Sequence, residues 1–329
     1  MTNIKVLDCT LRDGGYVNDW NFGFENSKKI ISLLEKSSVE FIEIGYLDKS
    51  NKNKEKTLFS SFDEINQFFS DKLDTKKLVA MITFSFFSID EVPSADNSKI
   101  KSLRLIFKKH QIDDAFEYAL ELKNKGYNVF FNPMYVSQYS DTELLSLIDK
   151  VNVLNPRVFT IVDSLGVLDE ANLLRLYYLI NNNLNNQISL GFHSHNNLQL
   201  SFSNAQALME ICKNRELIID STVFGIGRGA GNIHTELITK YLNDNYKSKY
   251  NLLPILEIVQ KYINPIFAIS PWGYSVPYYL AAINHCHPSY AKYLIDKGID
   301  TVDVIDNILS MIPEDKKINY DASVIEELS

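Results

Sequence analysis

Eight short apolar runs recur along this chain, most of them followed by a segment with helical spacing, and that alternation leaves few folds open. The runs cover residues 4–8, 39–46, 77–84, 102–107, 127–132, 157–163, 188–195 and 217–225. Most are continuously apolar, as strands covered on both faces of a parallel sheet are. Between them, apolar residues return at helical spacing over 24–34, 115–122, 144–151, 173–180 and 198–209. Eight strands alternating with helices is the count of a closed (β/α)8 TIM barrel. An open doubly wound sheet is the structural alternative. With 329 residues, 45% of them apolar, the chain has material for one large core. Length alone argues for two domains, but α/β barrels of this size form one. We expect a TIM-barrel domain over 1–248 and a helical C-terminal extension over 249–329. The extension carries Pro254, Pro265, Pro271 and Pro277, then helical patterns near 278–286, 288–297 and 301–311.

The formal charge is −8, from 33 basic and 41 acidic residues, which argues against a nucleic-acid surface. Cys9, Cys212 and Cys286 form an odd set without metal-ligand spacing, so a reducing, cytoplasmic home is the simpler expectation. The opening MTNIKVLDCTLRDGG lacks the apolar run of a signal peptide, and no apolar stretch approaches the roughly 20 residues of a membrane span. No membrane and no nucleic acid are therefore expected as partners. A homodimer through the C-terminal helices is compatible with the sequence.

Functional side chains of a barrel gather at the C-terminal ends of its strands. Strand one runs into Thr10-Leu11-Arg12-Asp13-Gly14-Gly15, strand seven ends in Gly191-Phe192-His193-Ser194-His195, and strand eight leads to Gly225-Ile226-Gly227-Arg228-Gly229-Ala230-Gly231-Asn232. His193 and His195 are two apart on a strand, so both leave the same face. Two imidazoles with Asp13, brought close by the neighbouring strand one, make a donor set for a divalent metal. Taken alone, the His-x-His pair reads more simply as two satisfied histidines. The second copy, His285-Cys286-His287, lies in a helical region and reads as structural. The glycine run offers N–H groups for an anion, with Gly227 and Gly229 as candidates, or it is a tight turn. Asn232 caps the next helix or lends its amide oxygen to the metal. Asp163 and Ser164 end strand six on the same rim, as substrate-binding groups or as a helix cap. Lys108, His110 and His234 are rim candidates with an equally good reading as surface.

Together the motifs resemble the metal-dependent pyruvate aldolase and acyl-transfer superfamily, which includes 4-hydroxy-2-oxovalerate aldolase, hydroxymethylglutaryl-CoA lyase and the isopropylmalate and homocitrate synthases. The carriers are Asp8-Cys9-Thr10-Leu11-Arg12-Asp13-Gly14, Gly191-Phe192-His193-Ser194-His195-Asn196 and the glycine loop. Ile161-Val162-Asp163-Ser164 draws the likeness toward the 4-hydroxy-2-oxovalerate aldolases. The resemblance implies Mn2+ or Mg2+ on Asp13, His193 and His195, with Asn232 a further ligand in the lyase branch. It also implies Arg12 facing a developing enolate oxygen, and cleavage of a 4-hydroxy-2-oxo acid to pyruvate and an aldehyde through a metal-bound pyruvate enolate. Tyr16 departs from the pattern, because the aldolases carry a histidine base three residues after the aspartate. A phenol that ordinarily ionises near pH 10 is a poor base. Tyr16 is then a hydrogen-bond or proton donor, or another group is the base. The remaining alternatives are a Claisen-type acyl-CoA lyase or synthase, and a barrel that keeps its metal without catalysis.

Overall fold

The computed structural model describes residues 3–69 and 74–329. Its centre is a ring of eight parallel strands: β1 (Ile4–Asp8), β2 (Phe41–Leu47), β3 (Leu78–Ile82), β4 (Ser102–Phe107), β5 (Asn128–Pro133), β6 (Val158–Asp163), β7 (Ser189–Ser194) and β8 (Leu217–Ser221). The register shows closure directly. β1 pairs with β8 from Ile4 opposite Leu217 to Asp8 opposite Ser221, and its other edge sets Leu7 against Phe41 of β2. The open-sheet alternative is excluded, because the ring leaves no free edge among these strands.

Helices α1 (Phe24–Ser37), α2 (Phe62–Phe68), α3 (Ile112–Asn124), α4 (Asp141–Leu154), α5 (Glu170–Asn183), α6 (Ser201–Ile211) and α7 (Thr235–Tyr246) surround the ring. Alternation fails once. Residues 83–101, which include Pro93, hold only the 3-10 turns Ile89–Glu91 and Ala95–Asn97 between β3 and β4. The eighth apolar run is also shorter as a strand than its sequence pattern. After Ser221 the backbone turns into the 3-10 segment Val223–Gly225, with Phe224 in the left-handed region at φ 56°.

Inside the ring the two-residue side-chain period builds layers. Leu7, Phe41, Val79, Phe130, Val158 and Ile218 form an apolar plug with Cys9. Two residues further along the same strands stand Glu43, Met81, Asn132, Thr160 and Asp220, so the barrel turns polar one layer above its plug. Gly191 belongs to this layer, and a side chain there would meet Thr160 Oγ1 at 2.5 Å.

Beyond the barrel, α8 (Leu252–Ile258) continues through a π-turn (Val259–Ile263) into α9 (Asn264–Ile269). This 18-residue run has mean hydropathy 1.3 and is long and apolar enough to cross a membrane by length and composition. That corrects the expectation that no stretch comes near such a span. Glu257, Lys261 and Pro265 interrupt the run in sequence, whereas the helix continues through them. One side of it packs along α1 and delivers Ile255, Ile258 and Ile263 to the barrel core. α10 (Val276–Ile283), α11 (Pro288–Asp296), α12 (Val302–Ser310) and α13 (Ala322–Leu328) gather instead around a second apolar cluster that includes Leu280, Tyr290, Leu294, Ile305, Leu309 and Ile325.

Candidate functional site

The C-terminal mouth of the ring holds a cavity whose floor is Arg12, Asp13, His193 and His195. Arg12 and Asp13 sit on a one-turn helix, Thr10–Asp13, that follows β1 directly. Thr10 fixes that turn, since its hydroxyl accepts the Val223 N–H at 2.8 Å and its N–H donates to Asp8 at 3.0 Å. His193 lies on β7 and His195 just past it, both buried. The ligand atoms of Asp13, His193 and His195 all lie within 4.8 Å of one another, so the three residues that strand geometry singles out do converge.

Each member could serve a cation. The carboxylate of Asp220 accepts from His193 Nδ1 at 3.1 Å, which leaves the Nε2 lone pair free. His195 Nδ1 is buried, has no hydrogen-bond partner, and lies 3.9 Å from Asp13 Oδ2. Burial holds His195 down at about 3, against the pull of Asp13, so the ring is a neutral donor. Burial would raise Asp13, but the Arg12 guanidinium, then His195 and His193, outweigh it and hold the carboxylate well below its usual range. One carboxylate and two imidazoles around an unsatisfied buried nitrogen fit a divalent metal. A competing trio, Cys9, His193 and Asp220, is equally compact. It is the poorer site: burial pushes the Cys9 thiol far up, Cys9 Sγ donates to the Ser221 carbonyl, and Asp220 is taken by Arg104.

Behind the floor runs a chain of buried charges. Asp13 pairs with Arg12, Arg12 Nε with Glu43 at 2.9 Å, Glu43 with Arg104 at 3.4 Å, and Arg104 with Asp220 through bonds of 2.7 and 3.1 Å. Burial would lower Arg12, but Glu43 and Asp13 more than compensate and keep it charged. Burial would likewise raise Asp220, and Arg104 reverses the shift. Glu43, Arg104 and Asp220 were not singled out from sequence. The available signal is a charge inside an otherwise apolar run, alone at Arg104 and Asp220 and accompanied by Glu40 at Glu43.

Asn232 joins the floor. Its amide nitrogen donates to Asp13 Oδ2 and to the Ile226 carbonyl at 3.2 Å, and its Oδ1 is buried without a partner. It does not cap α7, whose N-cap is His234. Gly227 is required by this contact: a Cβ there would stand 2.0 Å from Asn232 Nδ2 and 2.5 Å from Asp13 Oδ2. The N–H groups of Gly227, Arg228 and Gly229 make no hydrogen bond with any described residue. Asn197 ties the loop down, accepting the Ala230 N–H at 2.8 Å and donating to the Leu165 carbonyl at 2.8 Å.

Ser164 lines the cavity, and its hydroxyl accepts the Tyr135 N–H at 3.0 Å. Asp163 does not line it. Its carboxylate accepts the N–H groups of Val167 and Leu168 at 3.0 and 3.1 Å, and burial raises it to about 6 despite those bonds. Tyr16 is 42% exposed at the mouth, edge-on to Trp20 at 4.8 Å. Lys108 reaches Asn319, His234 bonds Glu236, and His110 lies in a separate surface pocket, so none of the three joins the floor. His287, read as structural, does cap α11, but its other ring nitrogen faces Arg228 at 3.2 Å on the rim.

Comparison with known proteins agrees with this architecture. The HMGL-like family model matches residues 3–261. The chain is 23% identical over 267 residues to a 4-hydroxy-2-oxovalerate aldolase of Geobacillus genomosp. 3, covering 80% of this chain and 77% of that one. It is 24% identical over 274 residues to the protein of the same name from Thermomicrobium roseum, with 82% and 76% covered. Among solved structures it resembles the N-terminal domain of a candidate aldolase from Bacteroides vulgatus, at TM-score 0.75 and 25% identity over 88% of this chain and 96% of that one. It shares the fold of the HMG-CoA lyase from Brucella melitensis, at TM-score 0.63 and 11% identity over 78% and 96%.

Proposed function

The chain belongs to the HMGL-like family and is a lyase of the aldolase type, and from that premise we propose that it cleaves and forms 4-hydroxy-2-oxo acids with pyruvate as one product. The cation in this reading is Mn2+ or Mg2+, held by Asp13, His193 and His195 with Asn232 alongside. What carries the reading is the convergence of those ligand atoms within 4.8 Å, beside a buried arginine and beneath a cavity. When bound, such an ion polarises the carbonyl of a 2-oxo acid and lowers the barrier to its enolate.

The chain's own residues supply the rest. Arg12 is a fixed guanidinium, oriented by Glu43 at 2.9 Å and therefore preorganised toward the oxygen where negative charge develops. Asp220 fixes the His193 tautomer, and Asn232 holds Asp13 in place. Met81, Ile106, Met134 and Val162 give the cavity apolar walls that limit water around the enolate. Ser164 and the free N–H groups at Gly227 and Gly229 are assigned to the substrate, and Asp163 to holding the loop that carries Ser164. Tyr16 is assigned to the aldehyde end, as a hydrogen-bond donor to the 4-oxygen.

The test is release of pyruvate from 4-hydroxy-2-oxo acids, followed by coupled reduction to lactate. Turnover should require Mn2+ or Mg2+, stop with chelator and return on adding metal. Failure with every such acid, together with thiol release from acetyl-CoA and a 2-oxo acid, would move the assignment to the acyl-thioester branch.

A further inference from the structure

Arg228 stands at the cavity mouth without a counter-ion. The other two arginines of the site are matched, Arg12 by Asp13 and Glu43, and Arg104 by Asp220 and Glu43. Arg228 instead donates through Nη2 to the Ser164 carbonyl at 3.2 Å and lies 5.3 Å from the centre of the Tyr16 ring. Its buried Nε–H meets no acceptor, and no carboxylate among the described residues pairs with it. Its Nη1 faces His287 Nε2 at 3.2 Å, yet the same imidazole takes the Ser289 N–H on Nδ1 at 3.1 Å. A neutral imidazole has one lone pair and one N–H. Two donors therefore flank a ring that can accept from only one, whichever tautomer it adopts. Protonation offers no relief, because burial and then the Arg228 charge hold His287 down at about 2. The cluster is short of acceptors and carries an uncompensated positive charge, a combination that favours a bound anion.

Its position says which part of a substrate would bring that anion. Arg228 and Tyr16 are common to the catalytic cavity and to a cleft of about 720 Å³ that Trp272, Tyr274 and Tyr278 help to line. A molecule reacting at the floor and extending outward passes Arg228 with its far end.

Resting on the lyase reading above, we propose that the aldehyde half of the substrate is itself an anion, its carboxylate or phosphate bound by Arg228. In cleavage the C3–C4 bond of the 4-hydroxy-2-oxo acid breaks and the 4-hydroxyl gives up its proton. The bonding pair passes into the pyruvate enolate, which takes a proton at C3. The products are pyruvate and an aldehyde that retains the anionic group. Arg228 meets that group and none of the reacting atoms, so it sets specificity.

The experiment condenses pyruvate with succinic semialdehyde, glycolaldehyde phosphate and neutral pentanal in the metal-loaded enzyme. One anionic aldehyde should exceed pentanal in kcat/KM by about 10- to 100-fold, the worth of a charge-assisted hydrogen bond, and the better of the two identifies the anion. R228Q should erase that ratio through KM, and R228K should keep part of it. A readout independent of turnover is the 15N spectrum of His287 in the native protein titrated with succinate or inorganic phosphate. Its Nε2 signal should move for the preferred anion and stay fixed in R228Q. Pyruvate methyl exchange in D2O with no preference among the aldehydes overturns this proposal alone. A rise in the KM of pyruvate only, in R228Q, assigns Arg228 to the 2-oxo acid and also overturns it. Absence of exchange overturns the lyase reading instead, and the His287 titration still decides whether Arg228 binds an anion.

Discussion

His195 shows how burial keeps a single imidazole neutral, the form that the proposed metal ligand requires. A histidine in the unfolded chain titrates near 6.5, whereas His195 in the fold falls to about 3. As pH drops, the unfolded chain takes up its proton first. The stability His195 contributes is therefore complete above about pH 6.5 and is lost as pH falls toward 3. Asp163, raised to about 6, works with the opposite sign: its contribution is present near pH 4 and lost as pH rises through 6. Metal-free His195→Asn should lose less stability than the native protein between pH 6.5 and 4.5 in urea titrations. An unchanged pH slope would contradict the assigned shift. Arg12→Lys should keep metal affinity and lower kcat by about 10²- to 10³-fold, the loss seen when one oxyanion donor is removed. Calorimetric titration with Mn2+ alongside steady-state rates separates the two effects. Asp13, His193 and His195 were legible because strand parity and ring closure bring them together. Arg228 and His287 were not, since their contact joins two irregular segments 59 positions apart.

At the scale of elements, seven of the barrel strands could be read to within a residue or two because each is a short apolar run, whereas the eighth ends four residues before its run does. Their interior charges could not be paired from sequence. Glu43, Arg104 and Asp220 lie on β2, β4 and β8, and only the curvature of the ring sets them face to face. Arg104→Met would leave the buried Asp220 carboxylate without its arginine and Glu43 with Arg12 alone, and should cost about 3–5 kcal/mol, measured by chemical denaturation. A change below 1 kcal/mol would mean the network is not needed for stability. The glycine loop makes a different demand. Gly227→Ala forces a Cβ against Asn232 and Asp13, so metal affinity should fall well before stability does. Titrating Mn2+ into the variant checks this, and native affinity would show that the loop shifts freely.

On the scale of the whole molecule, one apolar cluster surrounds the barrel strands and a separate one holds the C-terminal helices together. Residues 252–269 extend the barrel's core, and the helices from Val276 onward build the second cluster while delivering His287 to the rim. Tyr290 is fully buried at the centre of that cluster, with its hydroxyl donating to the Lys316 carbonyl at 3.0 Å. Tyr290→Ala should cost about 3–5 kcal/mol there. Hydrogen exchange should rise across 276–328 and stay slow in the eight strands; uniform loss of protection would show that the two clusters unfold as one. The helical patterns of this region were visible in sequence, but their route back over the mouth was not, because apolar period reports which face is buried and not against what.

The most direct test of the account is the exchange of pyruvate methyl protons in D2O, followed by proton NMR. Native protein with Mn2+ or Mg2+ should exchange them, chelator should stop the exchange, and Asp13→Asn should abolish both metal binding and exchange. Exchange that persists without metal, or metal content unchanged in Asp13→Asn and His195→Ala, would contradict the site at Asp13, His193 and His195.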